Sequence, residues 1–356
     1  GVAGEPLPRF IVPTLVGQTD EREARGLPPL FGFDALRYNG SERLHVYRPL
    51  DPSKDIDWEH LTMLWDYVFE TLLRVLPEDH HLLMTELPDM SVASTQRLYE
   101  TMFEYFEVQS LYVGSPAEMA LFARGVSTGV VIDCGNRLQV VPFVDGTRQP
   151  HAALTLRVGA ANLNEYLARL ITEHGNYFDP LVHVEPLNYI KAAVCRVSDD
   201  PHRDERRSEL EQEQSIVLPN GKKVTVGSEA WRCPEGLFDP SVMGLDIDGI
   251  HRNIYNAVQK CAIDDRNELL GHIVLSGGST LFPGFAERLR AELRRLMNVA
   301  AQRHLNIMAP SNRKYLAWCG ASVFAAVDTF PSLTMMNSDY FDEGALQDLL
   351  ETKMLS

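Results

Sequence analysis

The stretch GVVIDCGNRLQVVPFVDG, residues 129–146, decides the fold of this chain. It consists of an apolar run, a tight polar turn, a second apolar run and a further turn at Asp145-Gly146, an order that predicts a β-hairpin. In nucleotide-binding folds, a turn of this kind directs backbone N–H groups at phosphate oxygens. Here the turn reads Cys-Gly-Asn-Arg, with one glycine and a bulky arginine. The hairpin therefore raises two questions, whether a nucleotide binds and whether it is hydrolysed.

Strand-like and helix-like segments alternate along the rest of the chain, which is typical of an α/β protein. Residues 57–76 begin at a capping-type Asp57 and place apolar side chains at helical spacing. Ser115 and Glu118 have the spacing of a capping box, and Pro116 occupies the first helical position between them. Residues 271–297 read as a buried strand, a glycine turn and a long amphipathic helix. With 356 residues, the chain is long enough for two domains.

Composition narrows the classes of function. The chain is 45% hydrophobic and 23% charged, which is ordinary for a globular protein, and we expect neither a signal peptide nor a membrane span. Its net charge of −16 argues against a nucleic-acid partner, because phosphate attraction needs clustered Lys and Arg. The five cysteines form no CxxC pair, so we expect thiols in a reducing, intracellular compartment and not a disulfide framework or a zinc site.

Several segments, taken together and in order, resemble one known family. Residues 128–146 are similar to the second phosphate hairpin of actin, and residues 273–293 to its adenosine-binding turn and the helix that follows. Residues 313–330 resemble the segment that returns to the first domain, and residues 232–251 the segment that carries the hydrophobic plug. By these segments the chain is identified as a member of the actin and actin-related protein family. Residues 1–17 look like the stretch that follows the first phosphate hairpin, so the family's position for that hairpin lies upstream of Gly1.

The resemblance implies the actin-like ATPase fold, in which two related α/β domains form four subdomains around a central nucleotide cleft. Carried over by position, the first subdomain would comprise residues 1–13, 48–123 and 315–356, and the second residues 14–47. The third would comprise residues 124–158 and 246–314, and the fourth residues 159–245.

The same resemblance implies ATP or ADP with Mg²⁺ as the cofactor. In the hairpin, Asp133 and Gly135 match the family, and Asp133 is the carboxylate that would lie near the cation. The ribose-binding glutamate of the family is replaced by Ala192. The positions that match the nucleoside end of the family's site are Lys191, Gly277, Gly278, Ser279, Leu281, Phe282 and Lys314.

The positions that the family uses for hydrolysis differ. Asn136 stands where the family has an Asp, and the hairpin is one residue shorter, apparently by loss of a glycine. Two side chains that position the attacking water are also replaced, Gln by Pro116 and His by Gln139. Phosphoryl transfer depends on positioning and electrostatic stabilisation, so each missing part lowers the rate. The sequence therefore predicts a degenerate ATPase with no catalytic residue, and an active ATP-hydrolysing polymer is the alternative.

The predicted function is that of a structural subunit in a cytoskeletal or motor-associated assembly, whose precedents in the family are dynactin, the branch-nucleating complex and axonemal dynein arms. Residues 17–35 replace the longer loop that joins successive actin subunits, which argues against an ordinary actin homopolymer. We expect a location in the cytoplasm and cytoskeleton, or in a cilium. The alternative is a nuclear subunit of a chromatin-remodelling complex, although no basic nuclear-import cluster is present.

Overall fold

The computed structural model describes residues 1–51, 54–87, 90–156, 158–180, 183–207, 213–219, 221–341 and 344–355. The chain divides into two compact units, one formed by residues 1–115 and 321–356 and the other by residues 116–320. Both contain β-sheets and helices, so the predicted α/β class is confirmed. No helix in the described ranges combines the length and the apolar character that crossing a membrane requires.

The elements are numbered along the chain. The strands are Val16–Gln18 (β1), Leu30–Phe31 (β2), His45–Tyr47 (β3), His81–Thr85 (β4), Ser110–Gly114 (β5), Gly129–Cys134 (β6), Leu138–Val144 (β7), Thr147–Arg148 (β8), Leu154–Leu156 (β9), Gln214–Val217 (β10), Lys223–Val226 (β11), Ile273–Ser276 (β12), Ile307–Met308 (β13) and Met335–Met336 (β14). The helices are Asp20–Ala24 (α1), Phe33–Leu36 (α2), Trp58–Asp66 (α3), Val92–Glu100 (α4), Pro116–Phe122 (α5), Ala160–Glu173 (α6), Val184–Val194 (α7), Pro201–Glu205 (α8), Glu229–Glu235 (α9), Ile250–Lys260 (α10), Arg266–Gly271 (α11), Phe285–Leu296 (α12), Val299–Gln302 (α13), Leu316–Phe324 (α14), Asn337–Tyr340 (α15) and Ala345–Leu355 (α16).

The first unit has two small sheets. In one, β1 lies between β2 and β3 and is antiparallel to both. In the other, β5 is parallel to β4 and antiparallel to β14, which comes from the end of the chain. As predicted, α3 begins after Asp57, whose carboxylate accepts a hydrogen bond from the His60 N–H. The predicted helix continues beyond Asp66 in a π-helical form over Tyr67–Leu73 and ends at Arg74, which has a left-handed φ of 57°.

The second unit is built on a six-stranded sheet with the order β13-β12-β6-β7-β8, in which β9 also pairs with β7. The predicted hairpin is confirmed, because β6 and β7 are antiparallel and joined by a tight turn. At its far end, Asp145 and Gly146 have φ of 49° and 78°, as a two-residue turn between antiparallel strands requires. The parallel strands β12 and β13 extend the sheet on the other side of β6.

Both faces of this sheet are buried. Val130 and Ile132 of β6 pack into the larger apolar core, which also includes residues of α6, α10 and α12. Val131, on the opposite face, packs with residues of α5 in a second core. Because side chains alternate along a strand, Asp133 lies on the same face as Val131, at the end of β6. The sheet therefore places one carboxylate at the edge of the α5-covered face.

Candidate nucleotide site

Four polar residues lie in one row across four neighbouring strands of the second unit. Ser276 of β12 is opposite Asp133 of β6, and Asp133 is opposite Gln139 of β7, which in turn is opposite Thr155 of β9. Opposite residues share a face of the sheet. The Ser276 hydroxyl hydrogen-bonds to Asp133, and Gln139 Nε2 donates to Thr155 Oγ1 at 3.4 Å. In this row, Asp133 is the carboxylate predicted to lie near the cation. Its neighbour Gln139 occupies the position where the family has a histidine.

Asp133 is a largely buried acid. Burial raises the pKa of its carboxyl, and the hydrogen bond from Ser276 offsets only part of that effect. The ionised carboxylate is therefore less stable in the folded chain than in water. A nearby cation would reverse this, since an opposite charge favours the ionised form.

We expect Asp133→Asn to raise the melting temperature of the nucleotide-free protein at pH 7.5. Because the folded-state pKa of Asp133 is raised, its contribution to the free energy of unfolding falls as the pH rises from the ordinary carboxyl range through the raised pKa. The amide avoids that cost, and we expect a gain on the order of 1 kcal/mol. Melting at pH 4.5 and 7.5 tests this, with the exposed Asp264→Asn as control. A gain that is equal at both pH values, or a loss at pH 7.5, would contradict the prediction.

The hairpin turn is held against the start of α6. Within the turn, the Gly135 N–H donates to the Arg137 carbonyl at 3.1 Å, and the Gly135 carbonyl accepts from the Ala160 N–H at 2.9 Å. Gly159 approaches the turn so closely that a Cβ there would overlap the Asn136 carbonyl. The first N–H group of α6 is therefore bonded by the protein itself. By contrast, the Cβ position of Gly135 has no neighbour within 4 Å among the described residues, so the backbone there is approachable.

The predicted glycine turn follows β12 and lies against the end of β6, where the hairpin turn begins. Gly277 has a φ of +87°, and a Cβ on it would lie 2.5 Å from the Cys134 carbonyl group and 2.6 Å from Asp133 Oδ1. Only glycine combines this backbone with so close an approach. A 3₁₀ turn, Gly278–Leu281, follows. Its Ser279 is buried, and its side chain hydrogen-bonds to the Cys134 thiol, whose pKa is raised by burial to about 12.

Arg313, which sequence reasoning missed, holds this turn in place. Its Nε donates to Thr280 Oγ1 at 3.1 Å and its Nη2 to the Thr280 carbonyl at 2.8 Å. Its own carbonyl accepts from the Gly277 N–H at 3.1 Å. The prediction named the adjacent Lys314, which is exposed and lies with its Nζ 5.5 Å from the centroid of the Tyr315 ring. The spacing of residues in a sequence does not indicate which side chain binds a backbone carbonyl. The position of Arg313 next to Lys314 is the one feature of the sequence that points to it.

Lys191 contacts the same residue of α6 that is bonded to the hairpin turn. Its side chain is buried, and its Nζ donates to the Ala160 carbonyl at 3.1 Å, at the start of α6. Burial lowers the pKa of Lys191. The structure therefore gives Lys191 a structural contact that does not depend on a nucleotide.

The remaining predicted positions are distributed around this centre. Pro116 is the first residue of α5, as predicted, and Asn136 is exposed in the hairpin turn. Gly278 is exposed, with nothing described within 4 Å of its Cβ position. Phe282 is buried at the end of the 3₁₀ turn, and Leu281 is partly exposed beside it. The turns that carry Gly135 and Gly277 thus meet at the end of β6.

The residues fit a cation only as part of a nucleotide complex. The described residues contain no group of three or more His, Cys, Asp or Glu side chains arranged to hold a metal ion. Mg²⁺ usually keeps several waters and is bound through one or two carboxylates together with substrate phosphates. Asp133 is the one carboxylate among the predicted site residues, so the phosphates would have to supply most of the other ligands.

Two comparisons with known proteins agree with this architecture. The sequence model of the Actin family matches residues 1–354 of the chain. An actin-like protein from Neurospora crassa is 32% identical over 362 aligned positions, which cover 99% of this chain and 94% of that relative. The similarity thus extends over the whole length that carries the sheet, the hairpin and the glycine turn.

Proposed function

This chain belongs to the actin family, and we propose that it is a structural, non-hydrolysing subunit of a cytoskeletal or motor-associated protein assembly. The observation that carries the proposal is the polar row across the second unit. The row keeps the carboxylate Asp133 but has the amide Gln139 beside it. A site of this composition can hold a charged ligand, while the position that the family fills with histidine carries an amide that does not take up a proton near neutral pH.

The argument against hydrolysis rests on what the side chains can do with a proton. Gln139 is buried, and its Oε1 atom has no hydrogen-bond partner among the described residues. An amide oxygen can orient a water molecule, but it does not take up a proton near neutral pH as a histidine does. Pro116, at the start of the helix that covers this face, has neither a polar side chain nor an N–H group.

We propose that ATP or ADP binds to the second unit as a stabilising ligand. Gly135 and Gly278 have no side chain and would let the nucleotide approach closely, although the Gly135 N–H already donates to the Arg137 carbonyl. Asp133 would hold the magnesium ion of the nucleotide through water. When bound, that ion neutralises part of the phosphate charge. A ligand that binds only the folded chain stabilises it by mass action and needs no turnover to do so.

Protein partners are the remaining part of the proposal. The first unit exposes several apolar side chains near the start of the chain, among them Leu7, Phe10, Ile11, Leu27 and Phe33, each more than two-fifths exposed. A group of exposed apolar side chains often marks a protein contact. In the cytoplasm we expect this chain to sediment as part of a larger assembly. Co-fractionation with chromatin would favour the nuclear alternative.

The test is to denature the protein purified from its native source, count the nucleotide released per chain, and measure phosphate release from Mg-ATP. We expect about one nucleotide per chain and no turnover above that of a Lys191→Ala, Ser279→Ala double variant. Retention of nucleotide needs only the two turns, whereas turnover needs the positioning groups that are replaced. Turnover clearly above the control would establish the ATP-driven polymer in place of the structural subunit. An empty site would remove the nucleotide from the proposal.

A further inference from the structure

A cavity of about 890 Å³ lies in the second unit, away from the two turns that meet at β6. Its lining comes from α6, α8, α9, α10 and α12 and from the loops beside them, and it includes none of the predicted nucleotide-site residues. Its volume lies within the range of sites that bind small molecules or single side chains. The nucleotide proposal gives this cavity no role.

The cavity has a preformed, rigid floor. The guanidinium of Arg288 forms a bidentate pair with Glu235, at 2.9 and 3.0 Å, and its Nε donates to Glu292 at 2.7 Å. A further bond joins Arg288 Nη1 to the Ser198 carbonyl at 2.8 Å. The side chains of Arg288 and Glu235 are only 9% and 11% exposed. Since most donors of Arg288 are already bonded, this arginine is poorly placed to bind an anion.

Carboxylates outnumber arginines in the lining by six to three. Each arginine is paired with a glutamate, since Arg295 also binds Glu292, and Arg232 binds Glu173 outside the cavity. Four of the carboxylates are exposed around the mouth, and the group consists of Asp199, Asp200, Glu205 and Asp239. Asp199 is paired with Arg203, which lies outside the lining, at 2.6 Å. The excess negative charge at the mouth therefore comes from Asp200, Glu205 and Asp239, and it favours a cation.

Two further features suit an extended cationic side chain better than a bare ion. The lining includes the buried aromatic residues Tyr166, Trp231 and Phe238, and aromatic rings contribute apolar contact. The guanidinium groups of Arg169 and Arg288 already lie over the Tyr166 and Phe238 rings, each 5.0 Å from the ring centroid. In addition, the Nδ1 atom of His251, a lining residue, is buried and has no hydrogen-bond partner among the described residues. Its ring stacks on Phe238, with centroids 6.3 Å apart.

We propose that this cavity binds a basic side chain, arginine or lysine, presented by a partner protein. The choice of a protein over a free cation rests on the proposed role as a subunit and on the net charge of −16, which favours basic partners. The exposed carboxylates attract the side chain, the aromatic walls contact its apolar stem, and the Arg288–Glu235 pair keeps the cavity open.

The probe is the peptide acetyl-Gly-Arg-Gly-Arg-Gly-amide, titrated by calorimetry into the full chain. The comparison peptide has citrulline in place of arginine, which keeps the shape and removes the charge. The test variant combines Asp199→Lys with Glu205→Lys. Both side chains are 73% exposed, so reversing their charges leaves the buried pair of Arg288 and Glu235 intact. The matched control is Asp264→Lys, Glu268→Lys, which reverses two exposed acids outside the cavity.

We expect the arginine peptide to bind the unmodified chain and the control variant within about twofold of each other. It should bind the test variant at least about tenfold more weakly, and the citrulline peptide should bind the unmodified chain at least about tenfold more weakly. Equal peptide binding by the unmodified chain and the test variant, or no binding by the unmodified chain, would overturn the proposal. So would tighter binding of spermine than of the peptide, because the ligand would then be a free cation. Sedimentation of the native protein tests the subunit role separately, so the two proposals can fail independently.

Discussion

Replacing Gly277 with alanine is expected to lower the free energy of unfolding by about 3–4 kcal/mol and to abolish nucleotide retention. The left-handed φ of +87° alone costs a residue with a Cβ about 1–2 kcal/mol. The added Cβ would also be 2.5 Å from the Cys134 carbonyl group and 2.6 Å from Asp133 Oδ1. The turn would have to move away from β6, and Asp133 would lose its position beside it.

Gly278 offers the matched control for this change. It follows directly in the chain, has no positive φ, and has nothing described within 4 Å of its Cβ position. We expect Gly278→Ala to change the free energy of unfolding by less than about 1 kcal/mol. Urea unfolding of both variants without nucleotide makes the comparison. Similar losses in the two variants would show that the close approach at Gly277 is not what fixes the turn.

Replacing Arg288 with methionine has a comparable expected effect, a loss of about 3–5 kcal/mol. Burial alone would lower the pKa of Arg288, but its hydrogen bonds to Glu235 and Glu292 outweigh burial and raise it. Without the guanidinium, the Glu235 carboxylate is left buried and uncompensated. Burial already raises the pKa of Glu235 although Arg288 opposes it, and without the guanidinium that pKa should rise further. The deficit should therefore shrink as the pH falls and the carboxyl becomes protonated.

Two further variants separate the pair from its surroundings. In Arg288→Met, Glu235→Leu no charge of the pair remains, and we expect at least about 2 kcal/mol of the loss to be recovered. Arg295→Met removes the second partner of Glu292, but its side chain is 68% exposed, so it should cost less than about 1 kcal/mol. Urea unfolding at pH 5 and 7.5 measures all three. A double variant less stable than Arg288→Met would contradict the explanation by an uncompensated charge.

The parts of this molecule that sequence predicted are those formed by neighbours in the chain. The hairpin at Gly129–Val144, the cap at Asp57 and the turn at Gly277 each depend on a few consecutive residues, and the structure has all three. The site positions were obtained from family resemblance, which identifies matching residues and does not reveal their contacts. Resemblance predicts that Lys191 binds a nucleotide, and it gives no indication of the bond from this side chain to the Ala160 carbonyl.

The parts that sequence did not predict depend on residues far apart in the chain. Arg313 and Thr280 are separated by 33 positions, and Arg288 and Glu235 by 53. Arginine and glutamate are common surface residues, so neither pattern distinguishes a buried pair from two solvated side chains. The π-helical continuation at Tyr67–Leu73 was also missed, since its apolar spacing resembles that of an ordinary helix.

The first unit is formed from both ends of the chain, so it cannot complete its folding until the last residues have been synthesised. The second unit is continuous, so all its strands have been synthesised by the time residue 320 emerges. The first unit must wait for β14, whose partner β5 was made more than 200 residues earlier, and for Asn337, whose side chain bonds to the Val108 carbonyl across 229 positions. Until then one edge of β5 is open to strands of other nascent chains. Because contacts between residues so far apart in sequence form slowly, the completion of this sheet is expected to be a late step in folding.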